Sequence, residues 1–196
     1  DDPWIAQRYV DGEEISVYAL AREGKLLGLS LYRSLYRAGN GAGVCFENME
    51  DKNCEEFVRT FVSKTGWTGQ ISFDLMREPS GRILPLECNP RATSGLHFFM
   101  RGDAFADALA GPGNSVMPDS IGVQGVRLAT LLYGFPRAVT AGKLADFMAT
   151  VRNMKDIMDW PSDRITAGMQ IRSLAEIAGI ASKHHISLQS ASTRDI

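Results

Sequence analysis

The chain has 196 residues, 44% of them hydrophobic and 22% charged, with a formal net charge of −2. This is the composition of an ordinary globular protein that can bury a core, and no apolar run approaches the roughly 18 to 20 residues that span a bilayer, which argues against a membrane role. Lysine and arginine are scattered along the chain, so no basic surface for nucleic acid is predicted.

The cysteines and the first residues indicate where the protein works. Cys45, Cys54 and Cys88 share no metal-binding spacing, so reduced thiols in a cytoplasmic protein are favoured over disulfides or a zinc site. The chain begins without an initiator methionine or a signal peptide, and strand-like sequence follows within a few residues. We therefore expect a fragment of a longer, cytoplasmic protein.

The first part of the chain predicts strands. Residues 5–10, 14–22 and 25–32 each show strand-like composition or alternation, and a Glu-Gly turn joins the last two. Strands joined by such short turns pair with their neighbours in the chain. An antiparallel meander is the expected arrangement.

A helix is predicted after this meander. Asp51 is a favourable N-cap, and Gly66 is a favourable C-terminal stop. Between them the apolar residues recur at helical spacing and form one stripe, made of Phe57, Val58, Phe61 and Val62. This helix should pack on the sheet.

A β-hairpin is the most informative prediction. Residues 70–76 alternate polar and apolar side chains, and residues 82–89 supply a second strand. The sequence Glu-Pro-Ser-Gly at 78–81 is typical of a tight turn, which places Asp74 opposite Glu87.

The faces of this hairpin follow from strand alternation. Because successive side chains point to opposite faces, Asn89 should join Asp74 and Glu87 on one face. The other face should carry Leu84, Leu86 and Cys88. Three oxygen-bearing side chains are thus expected on one patch.

The two opposed acids require an explanation. Like charges directly across a sheet destabilise it, so Asp74 and Glu87 need either exposure to water or a cation between them. Mg²⁺ prefers oxygen ligands and is typically held by one or two carboxylates together with substrate phosphates. The residues alone leave two readings open: a Mg-ATP site, or a hairpin whose acids are simply solvated.

Helices are predicted beyond residue 100. One centres on Val126 to Leu132, and others span residues 144–154 and 170–181. The His184-His185 pair is interpreted as surface rather than as metal ligands. The predicted class is therefore α+β, an antiparallel sheet with packed helices followed by a helical C-terminal region.

The hairpin sequence resembles the ATP-grasp superfamily. The carrying residues are Phe73-Asp74-Leu75, followed by Leu86-Glu87-Cys88-Asn89-Pro90-Arg91, in which an acidic strand precedes a Glu-x-Asn strand. Carbamoyl-phosphate synthetases, biotin carboxylases and D-alanine ligases share this pattern. The resemblance implies that Asp74, Glu87 and Asn89 bind Mg²⁺, which Mn²⁺ could replace, beneath the phosphates of ATP.

A second segment is similar to the adenine-binding strand of that family. It runs from Gln7 through Arg8, Tyr9 and Val10 to Glu14. The resemblance implies that the Arg8 carbonyl and the Val10 N–H read the adenine edge, that Gln7 lies near the adenine amino group, and that Glu14 accepts from the ribose hydroxyls. For Glu14 the alternative is an ordinary exposed acid.

Arg91 resembles the family's arginine that faces the transferred phosphate or the acyl phosphate. A guanidinium can bind phosphate oxygens in bidentate fashion and stabilise charge that develops during transfer. Its alternative role is a surface ion pair. Residues 32–44, rich in glycine and containing Arg33 and Arg37, take the place of a variable substrate loop and could form a flexible anion-binding element, although the two arginines could equally be ordinary solvated side chains.

The resemblance covers roughly residues 4–100 and implies a domain organisation. Residues 1–100 would be the C-terminal half of an ATP-grasp domain, and residues 101–196 a helical extension. The phosphate-gripping lysines and glycine-rich loop of the family are missing from the sequence. The isolated fragment is therefore expected to be inactive, with the N-terminal region of the same protein as one partner; self-association is left open.

The implied activity is that of an ATP-dependent ligase. Such an enzyme transfers phosphate to a small-molecule carboxylate, and a nitrogen or sulfur nucleophile then attacks the acyl phosphate. The sequence names neither the carboxylate nor the nucleophile. Two alternatives remain, a nucleotide-binding module without catalysis and a structural interaction domain that docks through its C-terminal helices.

Overall fold

The computed structural model describes residue 4 and residues 6–39, 41–111, 114–119, 122–160, 163–164 and 167–192. Its strands are β1 (Glu13–Arg22), β2 (Lys25–Arg37), β3 (Gly43–Met49), β4 (Gly69–Arg77), β5 (Ile83–Asn89), β6 (Val123–Gly125), β7 (Lys155–Asp156), β8 (Asp159–Trp160) and β9 (Asp163–Arg164). Its helices are α1 (Lys52–Thr65), α2 (Gly102–Ala110), α3 (Arg127–Thr140), α4 (Leu144–Asn153), α5 (Ala167–His184) and α6 (Leu188–Ser192), with a 3₁₀-helix at Ser94–Phe98. The chain is α+β, as predicted.

Two compact units divide the chain: unit 1 is Asp1–Arg33 with Asn48–Ile121, and unit 2 is Ser34–Glu47 with Gly122–Ile196. They are interleaved along the sequence, because β2 begins in unit 1 and ends in unit 2. This division into two interleaved units differs from a single boundary near residue 100, which the resemblance implies. The assignment of the two halves by family resemblance stays a prediction.

Unit 1 contains an antiparallel sheet in the strand order β5-β4-β1-β2. The alternate residues Ile15, Val17, Phe73 and Leu75 point to one side, which we call the helix face, and pack there against α1. Each of these side chains is almost fully buried. The burial of such apolar surface is the main stabilising term in unit 1.

Helix α1 begins and ends where the sequence predicts. The Asp51 side chain accepts a hydrogen bond of 2.9 Å from the Cys54 N–H, and Gly66 ends the helix with φ of 63°. Cys54, Val58 and Val62 are its buried residues, and Phe57 and Phe61 pack beside them. The capping and the apolar stripe thus agree with one another and with the sheet that the helix covers.

Asp51 also belongs to an ion-pair cluster at the edge of the helix face. Arg77 Nη1 lies 2.5 Å from Asp51 Oδ2, Arg77 also pairs with Glu13, and Arg33 lies 3.3 Å from Glu13. Burial acts to raise the pKa of Asp51, but hydrogen bonds from Cys54 and Arg77 outweigh it and hold that pKa below its ordinary value. Asp51 therefore connects the start of α1 to β4.

Unit 2 has its own small core. In it the end of β2 lies beside β3, β3 pairs antiparallel with β6, and β6 pairs parallel with β7. Phe147 of α4 is fully buried, and its ring lies 5.3 Å from that of Tyr36 in edge-to-face contact. Ala138 of α3 and Val151 of α4 complete the cluster. The helices predicted beyond residue 100 are present as α3, α4 and α5.

Two sequence predictions about the first half are wrong. Residues 6–10 form no strand and are mostly exposed, and Ile5 lies outside the described residues; an extended segment needs a neighbouring strand to satisfy its backbone, and local composition cannot show whether one exists. The expected loop at 32–44 is largely strand, because β2 continues to Arg37 and β3 begins at Gly43.

The cysteines and the histidine pair have the following surroundings. The three cysteines are free thiols, Cys45 and Cys54 buried and Cys88 exposed. His184 and His185 are exposed, consistent with their interpretation as surface residues. Among the described helices, none is long and apolar enough to cross a membrane.

The cluster around Asp51 generates a pH-dependent stability prediction. We expect Asp51→Asn, which keeps an N-cap but loses the charge facing Arg77, to lower the free energy of unfolding by about 1–2 kcal/mol at neutral pH. Because the pKa of Asp51 is lowered by folding, its contribution is present above the unfolded pKa of about 3.9 and disappears as the pH falls through the folded pKa.

Urea unfolding from about pH 7 down to about pH 3 measures this difference. The gap between wild type and Asp51→Asn should close toward acid, whereas Asp51→Ala should keep a further deficit of about 1 kcal/mol from the lost cap. A gap of constant size across the pH series would show that the Arg77 pair contributes nothing.

Candidate functional site

The polar face of unit 1, opposite α1, carries the predicted acids. Asp74 of β4 lies directly opposite Glu87 of β5, and Ser72 lies opposite Asn89. Since cross-strand neighbours share a face, Asp74, Glu87 and Asn89 lie together, in the arrangement expected from the sequence. Glu87 is exposed, whereas Asp74 and Asn89 are half-buried.

A β-bulge interrupts β5 immediately beside Glu87. Asp74 pairs with Glu87, but the next residue, Leu75, pairs with Pro85, so Leu86 is the additional residue. Beyond the bulge Leu84 pairs with Met76 and shares the polar face, and the prediction that it points away is wrong. Bulges change the direction of side chains and are frequent near functional sites. Because of this bulge, Ile83 packs against the core beneath α1 while Glu87 lies opposite Asp74.

Ser16 of β1 supports Asp74 from the other side. Ser16 pairs with Asp74 across the β1–β4 ladder, and its hydroxyl donates a hydrogen bond of 2.9 Å to Asp74 Oδ1. A hydrogen bond to a carboxylate is stronger than one between neutral groups and fixes the orientation of the acid. Sequence reasoning missed Ser16, because the pairing of β1 with β4 is not a local feature; its only signal is the polar side of the alternation in β1.

Glu14 lies on the same face, two residues along β1 from Ser16. It pairs with Met76 and is exposed. A diagonal neighbour on the adjacent strand stands about 7–8 Å away, so the structure brings Glu14 near Asp74. Its assignment to ribose remains a prediction, and the geometry is compatible with it.

A chain of hydroxyls runs beside the acids. The Tyr32 hydroxyl lies 3.0 Å from Thr93 Oγ1, Thr93 donates to Ser72 Oγ at 3.0 Å, and Ser72 donates to the Arg91 carbonyl at 2.9 Å. Burial raises the pKa of Tyr32, outweighing the hydrogen bond with Thr93, and the Asp74 charge acts in the same upward direction. Tyr32 therefore keeps its proton at neutral pH.

The 3₁₀-helix covers the remainder of the polar face. Ser30 donates a hydrogen bond of 2.8 Å to the Gly95 carbonyl, and the rings of Tyr32 and Phe98 lie 5.8 Å apart. Tyr18 and Phe98 are fully buried there, whereas Glu14 and Glu87 remain exposed. The candidate site is thus the uncovered end of the polar face.

The remaining predicted site residues lie outside this group of side chains. Arg91 is exposed, and its Nη1 donates to the Ala92 carbonyl at 3.2 Å. Gln7, Arg8 and Tyr9 are exposed in a segment without regular structure, where Arg8 pairs with Glu78 at 3.4 Å, and Val10 is half-buried. No contact between residues 7–10, which the resemblance assigns to adenine, and the acids Asp74 and Glu87 is seen among the described residues, and that assignment stays a prediction.

The donor chemistry of the acid group fits a hard divalent cation. Two carboxylates and one amide present only oxygen ligands on the shared face, and the bond from Ser16 orients one of them. Within the part of the chain that the structure describes, no three His, Cys, Asp or Glu side chains come together as a metal group. A cation here would complete its coordination with phosphate oxygens and water.

A cavity of about 650 Å³ lies elsewhere in unit 1. Its walls include Asp51 and Arg77 of the ion-pair cluster together with the turn between β4 and β5. Because Arg77 and Asp51 belong to the helix face, this cavity is separate from the acids. We assign it no part in the chemistry of Asp74 and Glu87.

Several solved structures resemble part of this chain. N5-carboxyaminoimidazole synthetase from Staphylococcus aureus shares 14% identity over 55% of this chain and 32% of its own, with a TM-score of 0.39. A protein assigned to the ATP-grasp superfamily from Archaeoglobus fulgidus shares 23% over 60% and 39%, with a TM-score of 0.42. N5-carboxyaminoimidazole synthase from Aspergillus clavatus, in complex with ADP and 5-aminoimidazole ribonucleotide, shares 13% over 57% and 34%, with a TM-score of 0.42.

The chain spans about a third of the length of these structures, between 32% and 39%. No family model matches the sequence, and no curated protein matches it.

The close packing of the 3₁₀-helix generates a second prediction. A Cβ on Gly95 would lie 2.5 Å from Tyr18 Cβ, 2.6 Å from Ser30 Oγ and 2.7 Å from Tyr32 Cε1. We expect Gly95→Ala to lower the free energy of unfolding by about 1–3 kcal/mol, because the 3₁₀-helix must move away from the sheet to make room for the added methyl group.

Gly102→Ala is the matched control in the same unit, since a Cβ there meets nothing within 4 Å. It should leave stability unchanged or raise it by up to about 1 kcal/mol. Thermal unfolding of both variants measures the difference, and equal stabilities would mean that the 3₁₀-helix is not held against Tyr18 and Tyr32.

Proposed function

We propose that this chain is the ATP- and Mg²⁺-binding part of an ATP-dependent ligase that joins a carboxylate to an amine or a thiol through an acyl phosphate. The observation that carries the proposal is the direct opposition of Asp74 and Glu87 at the uncovered end of the polar face, with Asn89 on the same face. Two opposed carboxylates are costly in a sheet unless a cation or water screens them. The ATP-grasp resemblance of the hairpin sequence favours the cation.

The metal ligands would be Asp74, Glu87 and Asn89. When bound, Mg²⁺ neutralises phosphate charge and orients the transferring group. The residues of the chain fix where this happens: Ser16 holds the Asp74 carboxylate, and the bulge at Leu86 keeps Glu87 on the face of Asp74. The exposure of Glu87 leaves room for a phosphate to approach.

The nucleotide would extend from these acids toward Glu14. Its ribose hydroxyls would donate to the Glu14 carboxylate, which lies on the polar face near Asp74. Backbone groups of Arg8 and Val10 would read the adenine edge, with Gln7 beside its amino group. Because residues 6–10 have no regular structure here, this reading requires the segment to become extended along the base.

Arg91 would act on the group that is transferred. It follows β5 directly, and its exposed guanidinium can reach a bound phosphate. Preorganised positive charge of this kind stabilises the transition state of phosphoryl transfer. The carboxylate substrate and the nucleophile would approach from solvent, at the end of the polar face that the 3₁₀-helix leaves uncovered.

Neutralising one acid at a time tests the proposal. We expect Asp74→Asn and Glu87→Gln each to weaken Mg²⁺-dependent ATP binding by at least about tenfold, because each removes a charged metal ligand. Glu50→Gln, an exposed acid in the loop before α1, is the matched control and should bind as wild type does. Isothermal titration with ATP, with and without Mg²⁺, measures the effect.

The free energy of unfolding of the same variants tests the repulsion between the two acids independently. Without divalent cations, Glu87→Gln should raise the free energy of unfolding by about 0.2–1 kcal/mol, because it removes the repulsion of Asp74. Mg-ATP should then stabilise wild type much more than the variant. Wild-type Mg-ATP affinity in both variants would refute the metal assignment.

The alternatives give different results in the same titration. A nucleotide-binding module would bind Mg-ATP with protection of β4 and β5, yet the complete protein would turn over no ATP with any acceptor. An interaction domain would bind no nucleotide at all. Intact Asp74, Glu87, Asn89 and Arg91 favour the ligase, since binding alone requires neither both acids nor the arginine.

A further inference from the structure

The hydroxyl chain from Tyr32 to Arg91 has a single direction. The Arg91 carbonyl can only accept, so the one proton of Ser72 is committed to it. Ser72 Oγ must then accept from Thr93, and Thr93 must accept from Tyr32. The protons of Ser72 and Thr93 are therefore assigned, which sets the direction of the chain from Thr93 through Ser72 to the Arg91 carbonyl.

Its burial makes this arrangement costly to break. Tyr32 is 4% exposed and Ser72 is 2% exposed, so water cannot replace a lost bond at either side chain. A buried hydroxyl without a hydrogen bond is strongly unfavourable. The chain thus joins β2, β4 and the segment after β5 by bonds that persist together.

We propose that Tyr32, Thr93 and Ser72 are positioning residues that hold the backbone at Arg91 and so aim its guanidinium at the terminal phosphate of a bound nucleotide. The inference rests on the proposed function. Pro90 and Arg91 follow β5 and have no strand pairing, so the bonds of Ser72 with the Arg91 carbonyl and with Thr93 tie this segment back to β4. A fixed backbone lowers the cost of placing the guanidinium.

The test compares two nucleotides that differ in the terminal phosphate. Isothermal titration of the full chain gives the affinity ratio between a Mg²⁺-bound non-hydrolysable ATP analogue and Mg-ADP. We expect Arg91→Met to lower this ratio, and Ser72→Ala to lower it on the order of tenfold while leaving Mg-ADP affinity unchanged. The double variant should be no worse than Arg91→Met, because Ser72 acts through Arg91.

Ser30→Ala is the matched control for burial and chemistry. Ser30 is 1% exposed, and its hydroxyl also donates to a backbone carbonyl on the polar face. That carbonyl belongs to Gly95 in the 3₁₀-helix and not to Arg91. Loss of the Ser30 hydroxyl should leave the affinity ratio within about twofold of wild type. A second pair separates the hydroxyl from packing: Thr93→Val should lower the ratio, and Thr93→Ser, which keeps the hydroxyl, should restore it.

The outcomes separate this inference from the proposed function. If wild type prefers the ATP analogue and Ser72→Ala does not change the ratio, or if Ser30→Ala lowers it equally, the positioning role is overturned while the ATP site stands. Additive losses in the double variant would also overturn it. Failure of wild type to bind either nucleotide would overturn the proposed function. The proposed placement of the Arg91 guanidinium at the terminal phosphate would fall with it.

Discussion

The opposition of Asp74 and Glu87 across two neighbouring strands is the constraint on which the rest of the site depends. Two negative charges at this spacing repel, and a sheet that carries them loses stability unless the charges are screened. Unit 1 reduces the cost in two ways: Ser16 donates to Asp74, and β5 lies at the end of the strand order in unit 1, so Glu87 reaches water. Both features reduce the repulsion between Asp74 and Glu87, and a bound cation would remove it.

The two faces of the unit 1 sheet are covered to different extents: α1 packs on the helix face, whereas the end of the polar face that bears Asp74 and Glu87 is left uncovered. On the helix face, Ile15, Val17 and Leu75 are fully buried against α1, and the Asp51–Arg77 pair closes the edge. On the polar face, Asp74 and its neighbours contribute little apolar burial. Since alternate residues of the same strands serve both faces, an acid can be placed at Asp74 without disturbing the core that Phe73 and Leu75 form.

Local signals explain what the sequence could predict. The cap at Asp51, the stop at Gly66 and the turn before Arg82 are set within a few residues, and each was found where expected. The turn alone does not align Asp74 with Glu87. Beside the turn Met76 pairs with Leu84 and Leu75 with Pro85, a register that would place Asp74 opposite Leu86, and the bulge at Leu86 shifts the pairing to Glu87.

Features that depend on distant residues could not be predicted in this way. The pairing of β1 with β4 places Ser16 beside Asp74, although the two are far apart in sequence. The bulge at Leu86 reverses the expected side of Leu84, and its signal in the sequence is the neighbouring Pro85, because proline inside a strand occurs at sheet edges or bulges. Residues 6–10 have the composition of a strand but do not form one, since pairing rather than composition decides that outcome.

The hydroxyls of Tyr32, Ser72 and Thr93 are difficult to explain by folding alone. Apolar residues of similar volume at Tyr32 and Thr93 would pack against the 3₁₀-helix without requiring a hydrogen bond to each other, and replacing both members of such a buried polar pair is often nearly neutral for stability. Ser72 differs, because its acceptor is a backbone carbonyl that no side-chain substitution removes. The chain instead orders three hydroxyls so that the last donates to the Arg91 carbonyl. A buried polar chain specifies one arrangement of the groups it joins, and here those groups are the strand that bears Asp74 and the segment that bears Arg91. The same network limits the freedom of the backbone at Arg91, so it restricts where the arginine can lie relative to β4.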